Sequence, residues 1–509
     1  MPVRVASVAD RDRLTVWAMT SPQARPCWVA GKAEPGAGPG SGEIVVRHPL
    51  DGSEVATVSV PGSEQIENAV AAAAAVAPEF RNSPSHLRAT ALRHVSARIS
   101  ERAEEIAETI VAENGKPLKW ARIEVSRAVS TFLLAAEEAR RFGGEWLPLD
   151  TDPSADGRLA VIRRVPRGPV LGISPFNFPL NLVAHKVAPA LAVGAPIVVK
   201  PAPRTPLSAL LLGELLAETE LPSGAFSVLP LPGSQRGNEA TMGLVRDERL
   251  AVVSFTGSVP VGWRIADAAP RKHVVLELGG NAAAVVCADY ASDDDLAFAA
   301  GRIATFSNYQ AGQSCIAVQR VIVDSSVADR FLPRLVEAVL ALRNGDPYDE
   351  SVDVGPLVDS DAAQRVLDWV GEARAAGARL LTGGERDGNL VAPMVLTEVP
   401  PEARVWREEV FGPVLCVSTV DGVDAALEAV NDSAYGLQAG LFTRDVTVAF
   451  RAAARLDVGG LIVGDVPSFR ADQVPCGGVK ASGTGREGVR SAMADYTQEQ
   501  TMVLRMIVS

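Results

Sequence analysis

The sequence predicts an α/β protein: two domains built on mostly parallel sheets, with a small β arm between their parts. Three observations carry this. Between residues 169 and 280, short apolar strands (VLGIS, PIVVK, FSVL, AVVSF, VVLEL) alternate with helical stretches, the pattern of strand–helix–strand crossovers in a parallel sheet. A second alternating series follows Cys315: VQRVIV, helical text at 326–343 and 365–377, then VLCVSTV and LIVGD. And 509 residues are too many for one hydrophobic core.

The elements follow in order. Residues 1–24 show no clear periodicity and read as an N-terminal extension, with Met19 opening MTSPQARPCWVAGK as a natural start. Residues 34–42 (EPGAGPGSG) are a turn-rich stretch. GEIVVRHPLDGSEVATVSV then reads as two strands about the Asp51-Gly52 turn. From Ser63 to about Phe142 the text is helical, and Asn114-Gly115 followed by Pro117 ends one of those helices. Residues 143–168 look like a two-stranded excursion with no core of its own, and Thr497–Val508 has strand character after a helix at 486–495. One domain is expected from 25–142 with 169–276, the other from 277–475, with 143–168 and 476–509 as arm and C-terminal segment. The arm and the last strand lack obvious partners in their own domains, and an unpaired edge invites association, so a homodimer or homotetramer is expected.

Composition removes several function classes. The formal charge is −12, and an acidic surface repels phosphate backbones, so no nucleic-acid partner is expected. No apolar run is long enough to span a bilayer, so no membrane partner is expected either. The N-terminus mixes charges into its apolar residues and lacks a signal-peptide core, which points to the cytoplasm. Five cysteines, odd in number and without a CxxC, fit neither a disulfide framework nor a zinc site, and no metal is expected.

Six segments carry chemistry. In QAGQSCIAVQR (310–320), Cys315 follows a glycine-containing loop among small polar neighbours, a setting that exposes a nucleophile and leaves backbone N–H groups free. Cys287 and Cys416 sit in apolar strands and read as packing residues. In LELGGN (276–281), Glu277 ends an apolar strand; it is either a solvent-facing strand end or a desolvated base of raised pKa. In SPFNFPLNL (174–182), Asn177 lies on a turn between two prolines, where its amide either caps the turn or donates to an oxyanion. In VVKPAPRTP (198–206), Lys200 ends a strand, where α/β sheets bind ligands. FTGSVPVG (255–262) is a Gly/Ser turn opening a helix, without the GxGxxG pattern. REEVFGPV (407–414) sets Glu408 and Glu409 before a strand.

Together and in this order, these segments closely resemble the aldehyde dehydrogenase superfamily, from about Trp28 to Met502. ENGKPLKWARIEV (113–125), NDSAYGLQAGLFTRD (431–445) and PCGGVKASGTGREG (475–488) support the resemblance. It implies two Rossmann-type α/β domains plus a β oligomerisation arm, with the first domain binding NAD or NADP and the second catalytic. It implies Cys315 as the nucleophile that forms a thiohemiacetal and then a thioester, Asn177 with the Cys315 backbone N–H as the oxyanion hole, and Glu277 as the base that activates water. It also implies a cofactor-binding set of Ser174, Phe176, Lys200, Ala202, Pro203, Arg204, Gly257, Ser258, Glu409 and Phe411. Lys200 is expected at the adenosine ribose, Gly257 and Ser258 near the pyrophosphate, and Glu409 at the nicotinamide ribose.

Two departures bear on specificity. Many NAD-preferring members carry a Glu three residues after the lysine; here Pro203 stands there, followed by Arg204. Either Pro203 only shapes a turn, or the missing carboxylate and the added cation admit a 2′-phosphate, so that NADP serves at least as well as NAD. Cys476 replaces the family's usual aromatic residue; it is either a small packing residue or a second thiol near Cys315. The segments 177–191 and 468–490 are most similar to a branch acting on small polar or anionic aldehydes, which includes lactaldehyde, succinate-semialdehyde, phosphonoacetaldehyde and non-phosphorylating glyceraldehyde-3-phosphate dehydrogenases. By that analogy Arg470 either meets a substrate anion or is a surface arginine. The expected activity is oxidation of a small polar or anionic aldehyde to its acid; a CoA-acylating enzyme and a catalytically silent relative are the alternatives.

Overall fold

A computed structural model describes residues 24–505; the expected extension before Ala24 and residues 506–509 lie outside the described residues. Four helices, Ser63–Arg81, Ser85–Glu101, Ala103–Asn114 and Leu118–Ala139, fill the helical stretch. Gly115 ends the third at φ 72°, and a Cβ there would lie 2.7 Å from Pro356 Cγ, so only glycine makes this turn without strain. The apolar faces of these helices close on Asn181–Val193 and Leu207–Ala217 in one large buried cluster.

The first sheet has eight strands. Its centre is parallel, in the spatial order Phe226–Val228, Ile197–Lys200, Val170–Ile173, Val252–Thr256, His273–Glu277. The chain therefore builds outward from Val170–Ile173 to one side, then returns to continue on the other. Strand order reverses between Val170–Ile173 and Val252–Thr256, and in open α/β sheets the carboxyl ends of the strands at such a switch point are where a ligand crevice lies. Ser174, Asn177, Gly257 and Ser258 stand at that crevice because each follows one of these two strands.

The second sheet has seven strands, in the order Arg379–Thr382, Met394–Thr397, Val414–Val420, Arg320–Asp324, Ala283–Val286, Gln438–Phe442, Gly460–Val463. All neighbours are parallel except the first pair. Two apolar clusters cover its faces. Residues 476–496 do not join the arm: Gly483–Thr484 pairs with Leu276–Glu277 at the edge of the first sheet, and Val489, Met493 and Tyr496 pack into the first domain's core.

The arm and the terminal strand, without obvious partners in their own domains, find them in each other. Thr497–Arg505 runs antiparallel to Arg158–Pro166 in an unbroken register, and Glu145–Pro148 completes a three-stranded sheet. Sequence separation hid the pairing. Among the described residues, the outer edge of Thr497–Arg505 and of Glu145–Pro148 stays unpaired, with Trp146, Leu147, Met502, Val503 and Leu504 exposed on the arm.

Candidate active site

The crevice of the first sheet faces the loop that precedes strand Arg320–Asp324 of the second. Asn177 bridges the two: buried at the end of its turn, it donates from Nδ2 to the Gln313 carbonyl at 2.9 Å. An amide has two such hydrogens, so one remains for a ligand. The Phe176 ring stands edge-on to that of Phe411, 5.9 Å away, and joins the domains beside it.

The loop before Cys315 is strained. Gln310, Ala311 and Gly312 are consecutive at φ 55°, 54° and 72°, and left-handed backbone at two non-glycine residues persists only where the surroundings enforce it. Gln310 Nε2 donates to Asn114 Oδ1, and Val358 N–H donates to Gln313 Oε1 at 2.9 Å. Tyr309 and Ser314 share a hydroxyl–hydroxyl bond of 2.7 Å. Cys315 is partly exposed, whereas Cys27, Cys287, Cys416 and Cys476 are buried. Desolvation pushes its thiol well above the usual range, and Cys476, Glu409 and Glu277 push it further, while Arg470 opposes them.

Glu277 ends its strand buried, so the solvent-facing reading fails. Its Oε1 has no hydrogen-bond partner, and a Cβ on Gly477 would lie 2.8 Å from that oxygen. Burial, then the charge of Glu487, raises its pKa well above the carboxylate range against Arg470 and Lys186. Glu409 lies across Gly279-Gly280: its Oε1 accepts from Gly280 N–H at 3.0 Å, and burial lifts it to about 7. A Cβ on Gly279 would sit 2.2 Å from Glu409 Oε2, so glycine there is a condition of the carboxyl's position.

On the far side of the crevice, burial lowers Lys200 to about 8. Ser174 accepts no bond at Oγ and is buried. Ala202 is buried, and Pro203 lies beside Gly233. Arg204 does not stand free as a cation: its guanidinium, about half exposed, pairs with Asp359, which also caps helix Ser360–Ala375. Gly257 donates its N–H to Glu277 O at 3.1 Å, and Ser258 heads helix Val259–Ala268. Ser174 Oγ without a partner, the desolvated Lys200 ammonium and the buried Glu409 carboxyl are polar groups with spare hydrogen-bonding capacity, of the kinds a dinucleotide's hydroxyls and phosphates require.

Arg470 is no surface arginine. Its Nη2 meets Glu487 Oε2 at 3.4 Å and its buried Nε has no partner. Cys476 shares this pocket: burial pushes its thiol to about 11 while Arg470 pulls the other way. Behind them lies a charged cluster that the sequence reading did not single out. Lys186, buried in helix Asn181–Val193, donates to Thr256 Oγ1 at 2.6 Å and to Glu487 Oε1 at 3.3 Å. Burial pushes Glu487 up, but Lys186 and Arg470 outweigh it and hold the carboxyl at about 2. Asp472 accepts from Arg127 at 2.9 Å and lies 3.2 Å from His185 Nε2. The available signal was the His185-Lys186 pair inside an otherwise apolar helix, since buried charges require partners.

A sheet reversing at its centre, with a second α/β domain closing over the switch point, is the architecture of a dinucleotide-dependent enzyme. Residues 37–502 match the aldehyde dehydrogenase family. The chain is 42% identical over 452 residues to the 3-sulfolactaldehyde dehydrogenase of Priestia aryabhattai, covering 89% of this chain and 92% of that protein. Its fold is similar to that of aldehyde dehydrogenase 21 from Physcomitrella patens, solved with the reaction product succinate, at TM-score 0.91 and 42% identity over 96% of this chain and 99% of that one. It is also similar to the glyceraldehyde-3-phosphate dehydrogenase GapN of Methanocaldococcus jannaschii, solved with NADP, at TM-score 0.85 and 35% identity over 91% and 99%. The chain belongs to the aldehyde dehydrogenase family, and with it to the enzymes that oxidise an aldehyde to its acid with NAD or NADP.

Proposed function

We propose that the protein oxidises a short aldehyde bearing a terminal anion, through covalent attachment to Cys315. The observation that carries this is Arg470. Its buried Nε lacks a partner, and its charge acts directly on Cys315, Glu277 and Cys476. An unsatisfied buried guanidinium N–H is costly unless a ligand completes it, and an anionic group does so best. Two of the relatives, a sulfolactaldehyde dehydrogenase and a structure holding succinate, handle compounds of this kind.

The residues take these roles. The Cys315 thiol gives up its proton to water, and the sulfur adds to the aldehyde carbon. The negative charge that develops on the oxygen is received by the Asn177 amide and the Cys315 N–H, which stand ready without reorganisation. When bound, NAD or NADP supplies the hydride acceptor; Lys200, Ser174, Gly257, Ser258, Glu409 and Phe411 hold it, with Ala202, Pro203 and Arg204 shaping the adenosine end. Cys315 carries the substrate carbon first as a thiohemiacetal and then, at the oxidation level of an acid, as a thioester. Glu277 accepts a proton from water, the hydroxide attacks the thioester carbon, and the thiolate leaves. The enzyme works as a homo-oligomer assembled through its arm.

The test is a panel of lactaldehyde, succinate semialdehyde, 3-sulfolactaldehyde and glyceraldehyde 3-phosphate, each with NAD and with NADP, followed by nicotinamide absorbance. An anionic member is expected to exceed lactaldehyde in kcat/KM by about tenfold to a hundredfold, the worth of one charge-assisted contact. Arg470→Met should erase that margin. Equal efficiencies for neutral and anionic aldehydes would refute the anion site.

A further inference from the structure

The loop that carries Asn177 cannot hold itself in place. Pro175 and Pro179 flank it, and neither has an N–H to donate. Its backbone groups are instead taken up by side chains from the end of helix Ala103–Asn114, from Lys116 and from helix Leu118–Ala139, with Thr205 Oγ1 donating to Phe176 O at 3.2 Å as well. Asn114 Nδ2 donates to Phe176 O at 2.8 Å, and Lys116 Nζ donates to Asn177 O at 2.9 Å. Glu124 Oε1 accepts from both Leu180 N–H and Asn181 N–H at 3.0 Å. Lys116 and Glu124 form an ion pair in which each side chain is 1% exposed, and Lys116 Nζ lies 3.9 Å from the centre of the Phe178 ring.

Burying an ion pair costs desolvation energy that its mutual attraction often fails to recover. An apolar pair of equal volume would serve stability as well. What an apolar pair could not supply is a donor to the Asn177 carbonyl and an acceptor for two N–H groups on one rigid helix. The left-handed Gly115 brings Lys116 under the loop, and Asn114 ties the same support to the strained Gln310 turn before Cys315.

We propose that the Lys116–Glu124 pair, with Asn114, positions the Asn177 amide against Cys315. These are positioning residues: they touch neither substrate nor cofactor and act through Asn177. The proposal rests on Asn177 being the oxyanion donor.

The test is a double-mutant cycle on turnover of the fastest of the four panel aldehydes. Lys116→Met/Glu124→Gln removes the lysine donor while keeping the pair neutral and an oxygen facing Leu180 and Asn181. It is measured alone and in the Asn177→Ala background, with cofactor Kd followed by protein fluorescence. The expected result is a kcat roughly tenfold lower, a cofactor Kd within about twofold, and less than about a twofold further loss on top of Asn177→Ala. If the double variant does not fold, Asn114→Ala alone, which leaves the ion pair intact and removes the donor to Phe176 O, is expected to show a smaller loss with the same dependence on Asn177. An equal loss in both backgrounds, or an undiminished kcat where Asn177→Ala is crippled, overturns the proposal. Undiminished turnover in Asn177→Ala overturns the oxyanion reading itself, and the proposal with it.

Discussion

Cys315 and Glu277 share one pocket and one electrostatic condition: burial, followed by neighbouring acidic groups, disfavours the charged form of each. A nucleophile held protonated does not react idly, and a carboxyl held above the usual range becomes a stronger base once it has lost its proton. Cys315→Ala should therefore lower aldehyde oxidation by about a thousandfold or more while cofactor Kd stays within about twofold. Turnover near that of the unaltered enzyme would dismiss Cys315. Glu277→Gln should spare the first turnover and slow the following ones by about a hundredfold to ten-thousandfold; stopped-flow absorbance would show a burst of reduced cofactor, and its absence would assign the water-activating role elsewhere. As candidates these residues could be picked out in sequence because one ends an apolar strand and the other follows a glycine-containing loop, the positions where α/β sheets carry ligand-facing side chains. Lys186, Glu487 and Lys116 could not, because their meaning lies in partners distant in sequence. Arg204 read as a free cation for the same reason: Asp359, which engages it, belongs to the other domain.

At the scale of an element, the proposed function sets recognition of the adenosine end on the turn from Lys200 to Arg204. Burial strips Lys200 of competing water and lowers it to about 8, so at pH 7 it still carries its charge. Pro203 offers no carboxylate to repel a 2′-phosphate. The exposed Arg204–Asp359 pair is worth about 0–1 kcal/mol, little enough for a phosphate to displace it. NADP should then be used at least comparably to NAD. Pro203→Glu should move the NADP-to-NAD ratio of kcat/KM toward NAD by about tenfold or more. Asp359→Asn, which keeps a capping side chain for helix Ser360–Ala375, should move it toward NADP. Ratios that stay put in both variants would place recognition of the 2′ position elsewhere. The alternating strands of 170–277 could be read in sequence because each is a short apolar run between turn residues. The return of Gly483–Thr484 to that sheet could not, since two residues carry no periodicity and long-range pairing alone makes them a strand.

At the scale of the whole molecule, the three-stranded arm is the part that one chain leaves incomplete. Its strands pair among themselves, so association does not rest on missing partners within the chain. The expectation of association rests on what the pairing leaves outside: among the described residues, two edges without a paired strand, and exposed apolar residues on both faces, Trp146 and Met502 on one and Leu147 and Val503 on the other, with Trp146 66% exposed. A three-stranded sheet needs a covered apolar face to be stable in water, and exposed apolar residues on such an arm are what a partner surface would cover. The second sheet also ends in an open edge strand, Gly460–Val463, close in sequence to helix Val446–Arg455, whose Phe450 is 74% exposed. Two copies related by a twofold axis can each cover the other's exposed patches at once, which closes the assembly instead of propagating it. The full chain should sediment as a dimer or tetramer of the 53.4 kDa protomer. Trp146→Asp combined with Met502→Lys, which places charge on the arm without touching the active site, should shift the distribution toward the single protomer. A full chain that sediments only at 53.4 kDa, or an unchanged distribution in the charged variant, would show that the arm joins nothing.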